Sequence, residues 1–250
     1  MFYTVLLFVF GCVMGSFFYV VGTRLPNNES LIKPGSHCTY CDSLLKWYEL
    51  IPILSYIGLK GKCRNCHHKL SKEYLIYEIL TGTLFLICYL KFGFSYEFFV
   101  SLILSSLLVL IFITDFKYMI ILDSPLVVSA ILLFGFRLYY FGITNALINI
   151  VHGFLSFLIM LFIGYIGKIL FKREALGGGD IKFSFVLGMT LGFKYGLMAL
   201  IFSTFLALPY AVGSMLLKKD NEVPFGPFLV SSAFIIYFFL EKFQFILYLF

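Results

Sequence analysis

Two aspartates stand where an acid is expensive. Asp115 closes the apolar run over residues 102–114, and Asp180 follows three consecutive glycines, Gly177, Gly178 and Gly179, at the edge of another apolar segment. An ionisable residue at membrane depth is costly, so it is usually there for a function. Two neighbouring carboxyls cannot both ionise cheaply, and such a pair shares one proton. The ionised acid takes a proton from water while the protonated one polarises a scissile carbonyl. Either acid can start in either role. Asp115 and Asp180 are therefore the expected catalytic pair of a site that cuts peptide at the bilayer surface.

The residues beside the pair fit the same picture. A glycine run lets backbone approach backbone or substrate closely, so Gly177, Gly178 and Gly179 mark the expected substrate cleft. A phosphate cradle would continue with Lys-Ser or Lys-Thr, whereas here an anion follows. Non-helical backbone at this depth is tolerable only against protein or water, which suits a wet cleft. The competing role for Asp180 is a helix N-cap. Lys182, two residues on, points to another face of a regular helix and is expected to contact substrate or lipid phosphate, or to snorkel. Asp123, before Ser124 and Pro125, suits a cap or turn. His152 reads as a packed or hydrogen-bonded helix residue.

A second chemistry is written in cysteines. Cys38 and Cys41 form one Cys-x-x-Cys knuckle, and Cys63 and Cys66 form another 21 residues later. Four thiolates at these offsets can close a tetrahedral zinc site. Disulfides or idle thiols are the alternative, but a cytoplasmic loop is reducing. His37, His67 and His68 flank the knuckles and could replace a thiolate, although four cysteines already suffice. A loop of this size has little core, so metal would supply much of its folding energy. Cys12 and Cys88 lie in apolar runs and read as packing residues.

What positions these groups is a membrane. Apolar residues make up 61% of the 250-residue chain and charged residues 13%, with a mean hydropathy of +0.97. Soluble domains run near 45–50% and about 25%. The 32 Phe and 17 Tyr suit lipid contact and interface anchoring. Eight spans are expected over residues 2–21, 74–90, 98–114, 122–140, 143–170, 181–193, 196–217 and 228–250. The sixth is short. The first lacks a basic n-region, and Arg24 follows its apolar run, so it reads as a retained helix starting outside and not as a signal peptide.

Charge sets the orientation. Between Arg24 and Lys72 stand eight Lys and Arg against three acids, Glu29, Asp42 and Glu49, which places this loop in the cytoplasm. Counting spans onward, Lys117, Lys172, Arg173, Lys218 and Lys219 also fall inside, while Lys91, Arg137 and Lys194 lie in outer turns. Asp115 and Asp180 both come out near the cytoplasmic face. No basic stripe lies outside the loops beside the spans, so no nucleic-acid partner is expected. The fold class is then an all-α polytopic membrane protein of about eight helices with a small cytoplasmic zinc-ribbon-like loop domain. The expected division is a first helix over residues 1–23, a four-cysteine zinc-binding loop over 24–73 and a membrane core over 74–250.

Several motifs, in order, resemble one family. Gly15-Ser16-Phe17-Phe18-Tyr19-Val20-Val21 with Arg24-Leu25-Pro26, the two knuckles, Trp47-Tyr48-Glu49-Leu50-Ile51-Pro52, Ser55-Tyr56, Gly61-Lys62-Cys63-Arg64, and Glu78, Thr81 and Gly82 resemble the type IV prepilin peptidases. Gly177-Gly178-Gly179-Asp180-Ile181-Lys182 resembles the Gly-x-Gly-Asp-x-Lys motif of intramembrane aspartyl proteases, and Pro224-Phe225-Gly226-Pro227 a late family loop. The sequence departs from the pattern at Leu122, where the family usually has proline, so a different bend into the next helix is expected.

The resemblance implies a multi-pass enzyme of the bacterial cytoplasmic (inner) membrane with its active site facing the cytoplasm. It implies removal of the basic leader of prepilins or pseudopilins after a glycine, with Asp115 and Asp180 as catalytic residues. The large cysteine loop resembles that of bifunctional members, which also N-methylate the new terminus with S-adenosylmethionine. In that frame Gly61 and Glu78 are the expected cofactor-binding residues. For Gly61 the plain alternative is a turn, and for Glu78 a solvated helix end. The other readings are a cleavage-only enzyme with a structural zinc loop, and a zinc-ribbon membrane scaffold, which leaves the paired acids unexplained. An ion-coupled transporter would usually show internal repeats, and none is evident.

Overall fold

The computed structural model describes residues 1–172, 176–217 and 223–248; Arg173, Lys218 and Lys219, used above for orientation, lie outside them. The elements in order are α1 (Phe2–Arg24), a 3-10 turn (Trp47–Leu50), α2 (Leu54–Gly58), α3 (Glu73–Phe92), α4 (Tyr96–Tyr118), α5 (Asp123–Phe171), α6 (Gly178–Leu191), α7 (Phe193–Leu216), α8 (Gly226–Phe238) and α9 (Leu240–Tyr248). Five of them, α1, α3, α4, α5 and α7, are long and apolar enough to cross a membrane. The all-α polytopic fold read from the sequence is the one observed.

The helix breaks have local causes. The 49-residue α5 is interrupted at Gly142, whose φ of 78° and ψ of 175° lie outside helical space. This break falls between the expected fourth and fifth spans. The expected last span divides at Phe239 into α8 and α9. Between α4 and α5, Met119 takes a left-handed φ of 54°. Leu122 then sits in extended conformation as the N-cap of α5. Pro125 lies in the first helical turn, where its missing N–H costs nothing.

Two compact units divide the chain, Met1–Phe98 and Phe99–Phe250. In the first, α1 and α3 pack antiparallel through small residues. A Cβ at Gly11 would lie 2.7 Å from the Gly82 Cα, and one at Gly15 would lie 2.7 Å from the Tyr77 carbonyl oxygen. Only glycine permits this approach, the usual device of close helix pairs in lipid. Cys12 and Cys88 are buried in this unit, as expected of packing residues.

The loop of the first unit is organised by a few strong contacts. The Arg24 guanidinium donates to the carbonyls of Ser30, Pro34 and Gly35, folding the chain back on the end of α1. The Ile53 N–H donates to the buried Glu78 carboxylate at 2.7 Å, which pins the 3-10 turn and α2 to α3.

In the second unit, the later half of α5 runs antiparallel to α6. A side chain at Gly188 would meet the His152 carbonyl and Gly153, and Asn149 donates to the Met189 carbonyl at 3.0 Å. His152 itself is half-buried, its ring 3.6 Å from where a Cβ at Gly192 would stand. Gly192, with a φ of 76°, turns α6 into α7. The Ser232 hydroxyl of α8 donates to the Ala199 carbonyl of α7 at 2.7 Å. Phe183, Leu187, Leu229 and Ile236 are fully buried at the centre.

Candidate active site and metal centre

Asp180 occupies the first turn of α6, behind an N-cap provided by Gly177. An acid in a first turn sits at the positive end of the helix dipole. The N-cap position itself belongs to Gly177, whose backbone N–H is hydrogen-bonded to the Asp180 carboxyl. Asp115 lies in the last turn of α4, the unfavourable end for an acid. That cost is offset from α8, whose first residue, Gly226, donates its N–H to Asp115 Oδ2 at 3.0 Å. Each carboxyl therefore faces the N-terminus of a helix, α6 for one and α8 for the other. Both are buried, at 7% exposure. They lie close enough to act on each other electrostatically. Asp180 Oδ1 is buried and has no hydrogen-bond partner among the described residues.

One side chain links the glycines that flank the two acids. Ile121, from the α4–α5 connection, packs on Gly179 and on Gly226. A Cβ at Gly179 would lie 2.7 Å from the Ile121 Cβ, and a Cβ at Gly226 would lie 2.9 Å from the Ile121 Cδ1. Gly177 lies against Asp180 Oδ2, whereas Gly178 has nothing within 4 Å of where a Cβ would be. The glycine run thus combines a cap, an open position and a tight contact. Nothing in the local sequence marks Ile121; its place depends on contacts from α6 and α8. Gly226 was visible only within the Pro224–Pro227 motif.

Lys182 lies beside the pair without touching it. Its ammonium reaches both oxygens of Asp123, at 2.8 and 2.7 Å, on an exposed surface. Asp123 opens α5 but makes no cap; it is the partner of Lys182.

The cysteines come together as expected. The Sγ atoms of Cys38, Cys41, Cys63 and Cys66 lie within 4.8 Å of one another. The Cys38–Cys66 and Cys41–Cys63 separations are 3.8 and 3.9 Å. A tetrahedron with Zn–S bonds of about 2.3 Å has edges of about 3.8 Å, so the donor set fits zinc. The two knuckles are built alike. Cys38 N–H donates to Ser43 O and Cys63 N–H to His68 O; Leu45 N–H donates to Ser36 O and Leu70 N–H to Gly61 O. The bridges His37–Leu44 and Lys62–Lys69 close them. Asp42 and His67, each following a second cysteine, are both left-handed.

The thiols are electrostatically prepared for a cation. The Ser43 hydroxyl and N–H bring Cys41 down to about 6. The Cys66 and Asn65 N–H groups also lower Cys63. At Cys66 the His68 N–H acts downward, but lost solvation and the three neighbouring sulfurs win and push it up to about 12. A thiol raised by its sulfur neighbours is what a divalent ion would relieve, by displacing the proton. The histidines stay outside the cluster: His68 stacks on Tyr40, and His37 contacts the Gly35 carbonyl.

Gly61 and Glu78 are both engaged in the first unit. Gly61 is left-handed, with a φ of 66°, and its Cβ direction is filled by the Tyr56 ring at 3.0 Å. Glu78 holds Ile53 and has no cationic side chain at ion-pair distance among the described residues.

Comparison with known proteins agrees with this layout. The bacterial peptidase A24 N-terminal domain matches residues 9–92, and the type IV leader peptidase family matches residues 102–212. A "Prepilin leader peptidase/N-methyltransferase" of Bacillus subtilis is 34% identical over 93% of this chain and 92% of its own. Proteins of the same name from Myxococcus xanthus and Vibrio cholerae are 38% and 29% identical, over 81% and 94% of this chain and 60% and 96% of theirs. No solved structure shows significant similarity to the chain. With its two acids and its four-cysteine loop in the two matched regions, the chain belongs to the type IV leader peptidase family.

Proposed function

We propose that the protein is a membrane-embedded aspartyl endopeptidase that removes the leader from prepilins or pseudopilins after a glycine, at the cytoplasmic face. The observation that carries the reading is the buried Asp115–Asp180 pair, each acid facing a helix N-terminus and one oxygen of Asp180 unpartnered among the described residues. The unpartnered oxygen is where a water or a scissile carbonyl finds its hydrogen bond. The pair shares one proton. Its ionised member draws a proton from water as the water oxygen attacks the carbonyl carbon, and its protonated member donates to the carbonyl oxygen. Collapse of the tetrahedral intermediate breaks the C–N bond: one acid gives its proton to the leaving amine while the other takes back a hydroxyl proton as the C=O bond re-forms, so the pair again holds one proton. The dipoles of α6 and α8 steady the remaining negative charge. Gly177, Gly178 and Gly179 border the cleft, with the open side at Gly178. Lys182 holds Asp123 at its rim.

The new N-terminus is then methylated, and here the first unit is involved. S-adenosylmethionine supplies a methyl group on a sulfonium when bound. Glu78 fits such a cation, being a buried carboxylate without a cationic partner, and would face the sulfonium or the substrate amine. Gly61 shapes the turn against Tyr56 in the same unit. Cys38, Cys41, Cys63 and Cys66 would hold zinc, which folds the loop. The substrate partners are prepilins, in the bilayer of the cytoplasmic membrane.

One experiment separates this reading from a zinc-ribbon scaffold. Wild type, Asp115→Asn, Asp180→Asn and Asp123→Asn are expressed with a prepilin, and the pilin N-terminus is read by mass spectrometry. The first two variants should remain inserted and leave the leader in place, while Asp123→Asn should still cut. Leader removal by Asp115→Asn at the wild-type rate would sink the assignment.

A further inference from the structure

The cysteine loop carries apolar surface that its own fold leaves uncovered. Trp47, Leu50, Leu54 and Ile57, on the 3-10 turn and α2, are 76%, 46%, 68% and 61% exposed. Trp47 is the single tryptophan of the chain. We propose that this face lies in the membrane, as an interfacial segment seated at the boundary of headgroups and acyl chains. The inference does not depend on the peptidase reading; it needs only that α1 and α3 cross the bilayer.

Four observations select lipid as the occupant. First, both ends of the loop run into α1 and α3, helices long and apolar enough to span, so the loop is held at a membrane surface. Second, depth is set by a hydrogen bond. Ile53 N–H is fixed to Glu78, five residues after α3 begins at Glu73. At 1.5 Å per residue that is about 7–8 Å along the helix, comparable with the roughly 5–10 Å immersion of interfacial helices. Third, α3 itself exposes Ile76 and Ile79 at the level of Glu78, at 57% and 41%. A segment pinned there sits beside lipid-facing residues, not above them.

The fourth observation is charge. Lys46, Lys60, Lys62 and Lys69 are exposed on the same loop. Of the loop's three acids, Glu49 is buried and paired with Arg64 at 3.3 Å, while Glu29 and Asp42 are exposed, so the basic residues of the loop stay in excess. A fringe of lysines with an exposed tryptophan is the usual dress of a protein surface at anionic headgroups.

Trp47 makes the test direct. The full chain is reconstituted with its zinc in vesicles of phosphatidylethanolamine and phosphatidylglycerol, with or without brominated acyl chains, and Trp47 fluorescence is recorded. Brominated lipid should remove most of the emission, its maximum should be shifted to the blue relative to aqueous indole, and acrylamide should quench it weakly. A second probe, Leu54→Trp in a Trp47→Phe background, should behave the same way and guards against a local peculiarity at residue 47. Strong acrylamide quenching at both positions would place the face in water and overturn the proposal. Protection from both quenchers would also overturn it, because the face would then be covered by protein, either another part of this chain or a second copy.

Discussion

Gly226→Ala is a small change at the point where the two acids are framed. The backbone at 226 is not left-handed, so the cost is one of contact and not of conformation. The added methyl would stand 2.9 Å from Asp115 Oδ2, 2.9 Å from Ile121 Cδ1 and 3.0 Å from Ile111 Cγ2, against 3.4 Å for ordinary contact. Each neighbour must yield by about half an ångström. The two aliphatic ends can rotate, at an overpacking cost of about 1–3 kcal/mol. The carboxylate has less freedom, because it accepts the Gly226 N–H at 3.0 Å. A hydrogen bond to a charged group is worth about 1.5–3 kcal/mol. If about 2 kcal/mol of these costs is felt in the transition state, the rate falls about 30-fold. The assay is cleavage of a prepilin-like peptide by purified enzyme in vesicles, with kcat and KM separated. The expected result is a lower kcat with KM little changed. Gly135→Ala is the control, since Gly135 is exposed and has nothing within 4 Å. Gly226→Ala cutting at the wild-type kcat would refute the claim that α8 holds Asp115 in its working position.

The glycine run should separate by position: Gly179→Ala drives a Cβ into Ile121 and should lose both activity and thermal stability, by about 1–3 kcal/mol. Gly178→Ala should melt like wild type, and its activity loss then reports substrate passing the open position. Changing Cys38 and Cys41 together to Ser should release the about one zinc per chain expected for a four-cysteine site, seen by elemental analysis, and should make the loop susceptible to protease. Glu78→Gln keeps an acceptor for Ile53 but removes the charge; processed pilin should lose its leader yet lack the added methyl mass, and normal methylation would exclude Glu78 as the cation site.

The apolar runs were legible because a membrane makes hydropathy nearly sufficient, but their lengths were not: five helices are long and apolar enough to cross, and the expected last span divides at Phe239. The knuckles were legible because metal geometry forces a short spacing. Asp115 and Asp180 stood out because acids are rare in apolar runs. The supports of these groups were hidden. Gly226 meets Asp115 across 111 positions, Lys182 meets Asp123 across 59, and Glu78 meets Ile53 across 25. No periodicity encodes such pairings; they arise only when helices pack. Lys182 and Asp123 illustrate the limit, since each was given a solitary role and their attraction shows only in three dimensions.

The 14 residues of α6 span only about 21 Å, some 9 Å less than a typical hydrocarbon layer of about 30 Å. If α6 is a membrane span, the shortfall turns bilayer thickness into a variable of the proposed reaction. If the far end of α6 is anchored by the Gly192 turn, Asp180 sits at the bottom of a dimple that lipid must thin to meet or that water must fill. Thicker acyl chains deepen the dimple and lengthen the path a peptide bond travels to reach the acids. Thinner ones bring the floor to the surface. Lipid composition would then set turnover without touching any residue, through the mechanics of mismatch.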